Sequence, residues 1–370
     1  MPEEVVAAER ETGTTGRSAA RDCVIEPVGG NHMSMLKKAA PFLGAAMLAT
    51  LLGAGAAKAE GEKVAVDLTT LTSPFWTSYN RYILEEAKKQ DVDLLEPFNS
   101  EFDTAKQITG VQNALSLGAK GIIFSPFESA AAGSVLKAAE KAGAKVVAVD
   151  VAPDNGPVAI VVRANNLAYG EKACKFIGDN VKEGPVVQIM GDQASINGRD
   201  RGNGFRECIT KNYPSLKLLE IPTKAWSGED AASGLDALLN AQPDLKAIYM
   251  HAGGVFLAPT LQTLKRKNLL KPAGEEGHIV IVSNDGIPQE FDAIRKGEID
   301  ATVSQPADLY AKYGLQYLKE AMAGKTFAPG PTDHDSTILE VRPGVLEDQL
   351  SAPLVTKENV DDKSLWGNQL

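Results

Sequence analysis

The side chains of this 370-residue chain that could do chemistry stand just after short apolar runs, not within them. Thr72-Ser73-Pro74-Phe75-Trp76 follows the first such run, and Ser125-Pro126-Phe127-Glu128 follows the third. Asp150 ends the next one. Further on come Arg199 and Arg201, Trp226, His251-Ala252-Gly253-Gly254, Asn284-Asp285-Gly286 and Gln305. Flat rings stack on the C–H face of a sugar ring, while charged groups and amides fix its hydroxyls, so these residue types together suit carbohydrate recognition. Asp150 ends a buried run, where a carboxylate needs hydrogen-bonding compensation, and this favours a hydroxyl-binding role. Arg199 and Arg201 are two residues apart and face different sides of a helix. His251 reads as a residue behind the pocket. Asp285 within Asn284-Asp285-Gly286 also suits a plain turn, and Gln305 before Pro306 suits a hinge.

The elements that must carry these residues alternate β-branched runs with amphipathic stretches, the pattern of a parallel sheet with crossover helices. Strands are expected at Val64–Leu68, Val92–Pro97, Gly121–Ser125 and Lys145–Asp150, with helices at Phe75–Gln90, Asp103–Leu117 and Ala130–Ala142 between them. After Asp154-Asn155-Gly156-Pro157 the pattern restarts with strands at Val158–Val162, Pro185–Met190, Leu216–Pro222, Ala247–His251, Ile279–Asn284 and Ala301–Ser304. Helices are expected at Leu167–Val181, Arg199–Asn212 and Gly228–Ala241. The expected fold is two α/β units in tandem, and in open α/β sheets ligands bind at the carboxyl ends of the strands.

Residues 33–59 carry the pattern of an export signal. Met33 and Met35 open it, Lys37 and Lys38 supply positive charge, Ala39–Ala57 is apolar, and Ala57-Lys58-Ala59 is a cleavage site. Residues 1–32 read as an in-frame extension upstream of that start. The segment to Ala59 holds six basic and six acidic residues, so the rest of the chain keeps the full net charge of −10. That acidity argues against nucleic acid and anionic membrane surfaces as partners. Beyond the leader only Cys174 and Cys208 remain, and they could pair in an oxidising compartment or stay buried as thiols. His251, His278 and His334 are too widely separated for a metal site.

Several stretches resemble the periplasmic sugar-binding proteins of ABC importers, in the cluster that includes the ribose-binding proteins. These are SPFWTS, GAKGIIFSP, KVVAVD ending at Asp150, NGRDRGNGF, IVSNDG and ATVSQPADLYAKYG. The resemblance implies a type I periplasmic binding protein fold: two Rossmann-like (flavodoxin-like) parallel-sheet lobes, a three-strand hinge and the ligand in the cleft. It implies lobes of residues 60–164 plus 306–350 and 165–305 plus 351–370. It matches Ser73, Phe75, Trp76, Ser125, Asp150, Arg201, Trp226, Ala252, Asp285 and Gln305 to the ligand-binding positions. Ribose binders place Asn where this chain has Ser125, Arg where it has Val151, and Asn-Asp where it has Ala252-Gly253. Plain ribose is therefore disfavoured, and a roomier, less polar pocket is expected, suited to another monosaccharide, a polyol or a substituted sugar.

The resemblance further implies a monomeric, non-enzymatic periplasmic receptor, without metal or cofactor, whose partners are a sugar or polyol, an importer permease and in some members a chemoreceptor. A secreted carbohydrate-active enzyme is the alternative, with Asp150 and Asp285 as its carboxylates. Against it stand the lack of a convincing acid partner and the absence of G-x-S-x-G, H-E-x-x-H and Gly-rich phosphate-loop motifs. The segment 329–345 reads as a loop insertion, Leu354–Asn359 as the third hinge crossing, and the terminal Lys363–Gly367 as packing on the second lobe.

Overall fold

The computed structural model describes residues 61–369, so the export signal and the extension before it lie outside the described residues. In chain order the elements are β1 (Val64–Leu68), α1 (Pro74–Lys89), β2 (Phe98–Asn99), α2 (Thr104–Ser116), β3 (Gly121–Phe124), α3 (Ala132–Lys141), β4 (Lys145–Val149) and β5 (Ile160–Ala164). They continue with α4 (Asn166–Asn180), β6 (Gly184–Ile189), α5 (Ile196–Asn212), β7 (Leu216–Ile221), α6 (Gly228–Ala241), β8 (Ala247–Met250), α7 (Gly253–Arg266), β9 (Val280–Asp285) and α8 (Pro288–Lys296). The last are β10 (Ala301–Ser304), α9 (Ala307–Met322), β11 (Gly330–Pro331), β12 (Thr337–Arg342), β13 (Val345–Leu350), β14 (Leu354–Thr356) and a 3₁₀ turn at Trp366–Asn368.

Two sheets result, ordered β11-β12-β13-β5-β4-β3-β1-β2 and β14-β10-β9-β8-β6-β7. Their inner strands are parallel and apolar on both faces, as helices covering both sides require. The chain passes between the sheets at 164–166, 304–307 and 350–354. Among the described residues no helix is long and apolar enough to cross a membrane.

The expected strand at Val92–Pro97 is the main local difference. Leu94 makes only an isolated bridge to Val64, and pairing with β1 resumes at Phe98–Asn99. Pro97 has no N–H to give to a ladder, so the strand restarts beyond it. The sheets are also mixed rather than wholly parallel, because β11–β12, β12–β13 and β10–β14 pair antiparallel. The expected loop insertion therefore contains a hairpin. Its turn is pinned by His334, which stacks on Tyr313 at 3.7 Å between ring centroids and bonds Asp348 Oδ2 at 2.9 Å.

Cys174 and Cys208 form a disulfide between α4 and α5. The two helices meet closely because Gly170 and Gly204 lie at the contact. A Cβ on either would fall within 2.3 Å of the other helix's backbone, or of Leu167 O. The C-terminal turn does not lie on the second lobe alone. Arg295 bonds Asn368 Oδ1 at 2.9 Å, while the Trp366 ring packs 6.1 Å from Phe75 and 6.5 Å from Tyr82 in the first core.

Candidate functional site

A cavity opens where the carboxyl ends of the two sets of strands face each other, and its walls come from both sides. Of the ten candidate residues, Ser73, Phe75, Trp76, Asp150, Arg201, Trp226, Ala252, Asp285 and Gln305 lie in its lining. Ser125 does not. It is fully buried with no partner for its Oγ, its carbonyl accepts from Gln107 Nε2 at 2.8 Å, and Pro126 and Phe127 take the lining place. Thr69, Phe102, Val151, Ser195, Asn197 and Val255 also line it. Asn197 carried a legible signal, since it stands one helical turn before Arg201 and so shares its face. Phe102 carried none, because no strand pattern leads to it.

Phe75 and Trp76 enter through the first turn of α1, started by Pro74, and meet edge to face with centroids 5.3 Å apart. Asp150 follows β4, Asp285 ends β9, and Trp226 lies in the loop before α6. Phe102, Asp150, Trp226 and Asp285 all have positive φ, at 56°, 60°, 55° and 123°. For non-glycine residues, and a bulky Trp above all, this backbone is costly, and such strain collects at binding sites.

Arg201, at the centre, is 2 % exposed. Its Nε donates to Asn166 Oδ1 at 2.6 Å, Nη1 to the His251 carbonyl at 2.5 Å and Nη2 to Gln305 Oε1 at 2.6 Å. The guanidinium also lies 5.1 Å from the Tyr169 ring and 5.8 Å from that of Trp226. Gln305 in turn donates to Asp285 Oδ1 at 3.4 Å, and Gly254 N–H donates to Asp285 Oδ2 at 2.7 Å. His251 stays behind the wall. Its Nδ1 accepts from Gly191 N–H at 3.1 Å, which leaves Nε2 to donate to Gln188 Oε1. Burial and the neighbouring Arg201 charge push its pKa far down and keep it neutral.

Across the cleft, Asn197 Nδ2 donates to Asp150 Oδ1 at 2.9 Å while its Oδ1 accepts from Arg163 Nη2 at 2.8 Å. Ile196 N–H donates to Ser129 Oγ at 2.9 Å, and Arg199 bonds Asp154 at 2.6 Å. The start of α5 is thereby fastened to the loops after β3 and β4, and the lobes meet. Gly254 lies against Ser73, whose Oγ would sit 2.4 Å from any Cβ there.

Both carboxylates are buried and titrate above their usual range. Asp150 is raised by burial, opposed by Arg201, Arg163 and Asn197. Asp285 is raised by burial and by the charge of Asp150, opposed by Arg201 and the Gly254 N–H. Each needs further donors to hold its charge, and ligand hydroxyls can supply them. Among the described residues there is no cluster able to hold a metal ion.

Residues 64–326 match the family described as periplasmic binding protein domain. The D-allose-binding periplasmic protein of Escherichia coli (strain K12) is 30% identical over 268 residues, covering 70% of this chain and 83% of that one. The ribose import binding protein of Bacillus subtilis is 26% identical over 266 residues, covering 71% and 82%. The D-apiose import binding protein of Paraburkholderia graminis is 27% identical over 289 residues, covering 76% and 89%. An ABC transporter solute binding protein from Mycobacterium smegmatis, solved with bound glycerol, superposes with a TM-score of 0.70 at 25% identity, over 81% of this chain and 96% of that one. The chain belongs to the periplasmic binding protein family.

Proposed function

We propose that this protein is the periplasmic receptor of an ABC importer, capturing a monosaccharide, polyol or related sugar derivative in the cleft and passing it to a membrane permease. The observation that carries the reading is the cavity itself: Phe75, Trp76 and Asp150 on one side, Arg201, Trp226 and Asp285 on the other, with Gln305 at a crossing point between sheets. A ligand bridging both sides favours the closed arrangement by the difference in its contacts to the two states. The lobes of this hinge motion are residues 60–164 with 306–350 and 165–305 with 351–370.

The D-allose-, ribose- and D-apiose-binding relatives named above support a sugar, and the glycerol bound to the Mycobacterium smegmatis protein supports a polyol, as the ligand class. The disulfide fits an oxidising compartment, and with the signal at residues 33–59 it supports export with cleavage near Ala59. The receptor acts as a monomer without cofactor, is not an enzyme, and has a chemoreceptor as a further proposed partner beside the permease. The test is a thermal-shift screen of the purified protein against pentoses, hexoses, polyols and sugar derivatives. A ligand at 100 times its Kd adds about 2.7 kcal/mol, a clear rise in melting temperature. A cooperative melt unmoved by every compound would contradict the reading.

A further inference from the structure

We infer that Arg163, which lies outside the cavity, is a positioning residue for ligand binding: it fixes the amide of Asn197 so that Asn197, on α5, holds the carboxylate of Asp150 across the cleft. The inference rests on the receptor reading and deepens it.

Arg163, Asn197 and Asp150 form a buried chain. Arg163 Nη2 donates to Asn197 Oδ1 at 2.8 Å, and Asn197 Nδ2 donates to Asp150 Oδ1 at 2.9 Å. A guanidinium only donates and a carboxylate only accepts, so the amide between them fits one way round. Turned over, it would set its NH2 against Arg163 and its oxygen against Asp150. Asn197 and Asp150 line the cavity, whereas Arg163 does not. With Oδ1 engaged by Asn197, Asp150 keeps Oδ2 to accept from a ligand hydroxyl. Burial pushes the Asp150 carboxyl up, and Arg201, Arg163 and Asn197 all oppose that push, so the chain preserves an acceptor for the ligand.

Arg163 is itself held at both ends of its fork. It is the penultimate residue of β5, just before the chain crosses to the second sheet. Nη2 also donates to Asp200 Oδ2 at 3.0 Å, and Nη1 lies 3.5 Å from Glu347 Oε2. Asp200 stands three residues after Asn197 on α5, so one nitrogen grips the first turns of that helix at two points. Glu347 lies on β13, the strand paired with β5, and supplies a counter-charge from the same sheet as Arg163. In the proposed hinge motion α5 carries Asn197 and Asp200 away together, while Glu347 stays with Arg163. The guanidinium thus remains paired when the lobes part, and its hold on Asn197 belongs to the closed arrangement.

The test is a double-mutant cycle read by titration calorimetry with D-allose, D-ribose, D-apiose, glycerol and the compound that raises the melting temperature most in the thermal-shift screen, scored on the tightest binder of the wild type. Arg163→Met and Asn197→Ala should each weaken binding by about tenfold, and the double variant should be no weaker than Asn197→Ala alone. Affinity of Arg163→Met within about twofold of the wild type would overturn the inference and leave the receptor reading standing. Losses that multiply to about a hundredfold in the double variant would overturn it too, because Arg163 would then act apart from Asn197. Arg163→Met strands the buried Glu347, so Arg163→Met with Glu347→Gln removes that unpaired charge and carries the same expectation. Asn197→Asp keeps an acceptor for Arg163 and sets a second carboxylate against Asp150, at a first-turn position where a helix favours negative charge. It should bind more weakly than Asn197→Ala, and affinity equal to the wild type would overturn the inference. Silence of the wild type towards every compound would overturn the receptor reading, and this inference with it.

Discussion

Asp285 shows how much one side chain's setting decides. Its carboxylate is buried at the end of β9, receives the Gly254 N–H and Gln305, and shares the cavity with Asp150. Burial and that second charge keep a proton on it to higher pH than usual. A ligand hydroxyl donating to Asp285 favours the ionised form, so binding releases a proton, and affinity should rise with pH. Titration should give tighter binding at about pH 8 than at about pH 5.5, by up to roughly tenfold per unit below the shifted pKa. An affinity that falls over this range would contradict the assignment of Asp285 as an acceptor. Asp285, Asp150 and Arg201 were legible because each follows a clear apolar run in a recognisable motif. Asn197 was missed, although an amide suits its place: it donates to a carboxylate on one side and accepts from a guanidinium on the other. Its place one helical turn before Arg201 put it on the cavity face, but the bridge itself joins residues 47 and 34 positions away in the chain, which no local pattern encodes.

Elements decide how firmly these residues are held. The helices α4 and α5 carry Asn166, Asn197 and Arg201, pack through Gly170 and Gly204, and are cross-linked by Cys174 and Cys208. Closing a loop with a sequence separation of 34 residues stabilises the fold by about 3–4 kcal/mol in the chain-entropy account. The double variant Cys174→Ala, Cys208→Ala should therefore melt roughly 5–10 °C lower, measured by circular dichroism, and an unchanged melt would contradict that role. The C-terminal turn works differently. Trp366 is 3 % exposed and backs Phe75, which lines the cavity, while Arg295 holds the neighbouring Asn368 from the second lobe. Trp366→Ala should cost about 3–5 kcal/mol in denaturant titrations and should also weaken ligand binding, because Phe75 loses its support. Loss of stability with full affinity would show that Phe75 is held by its other neighbours. The repeated strand-helix units were legible from period and length. The tail was not, because its burial depends on a partner surface built by α1 and α8, some 280 and 70 residues earlier in the chain.

At the scale of the whole molecule, two mixed sheets and three chain crossings bring strand ends from distant parts of the sequence to one cavity. The motif resemblance made that architecture legible, along with nine of the ten candidate residues now found in the lining. What it could not give is the volume of the cleft. Volume depends on ring rotamers and on the left-handed backbone at Phe102 and Trp226, not on residue type alone. In the proposed hinge motion, the same geometry would make binding and closure one event. Asp150 and Asn197 face each other from opposite sides, Arg199 reaches Asp154, and Gly254 lets Ser73 come close. The pair Arg199–Asp154 is about one-third exposed and contributes at most about 1 kcal/mol, so closure must draw mainly on the ligand. The most direct measurement is titration calorimetry of the compound that raises the melting temperature most in the sugar and polyol screen, into the wild-type protein and into Asp150→Asn. The account predicts one site per chain for that compound, weakened by about a hundredfold in the variant, whose melting temperature stays near that of the wild type. Equal affinity in wild type and variant would contradict the assignment of this cleft as the binding site.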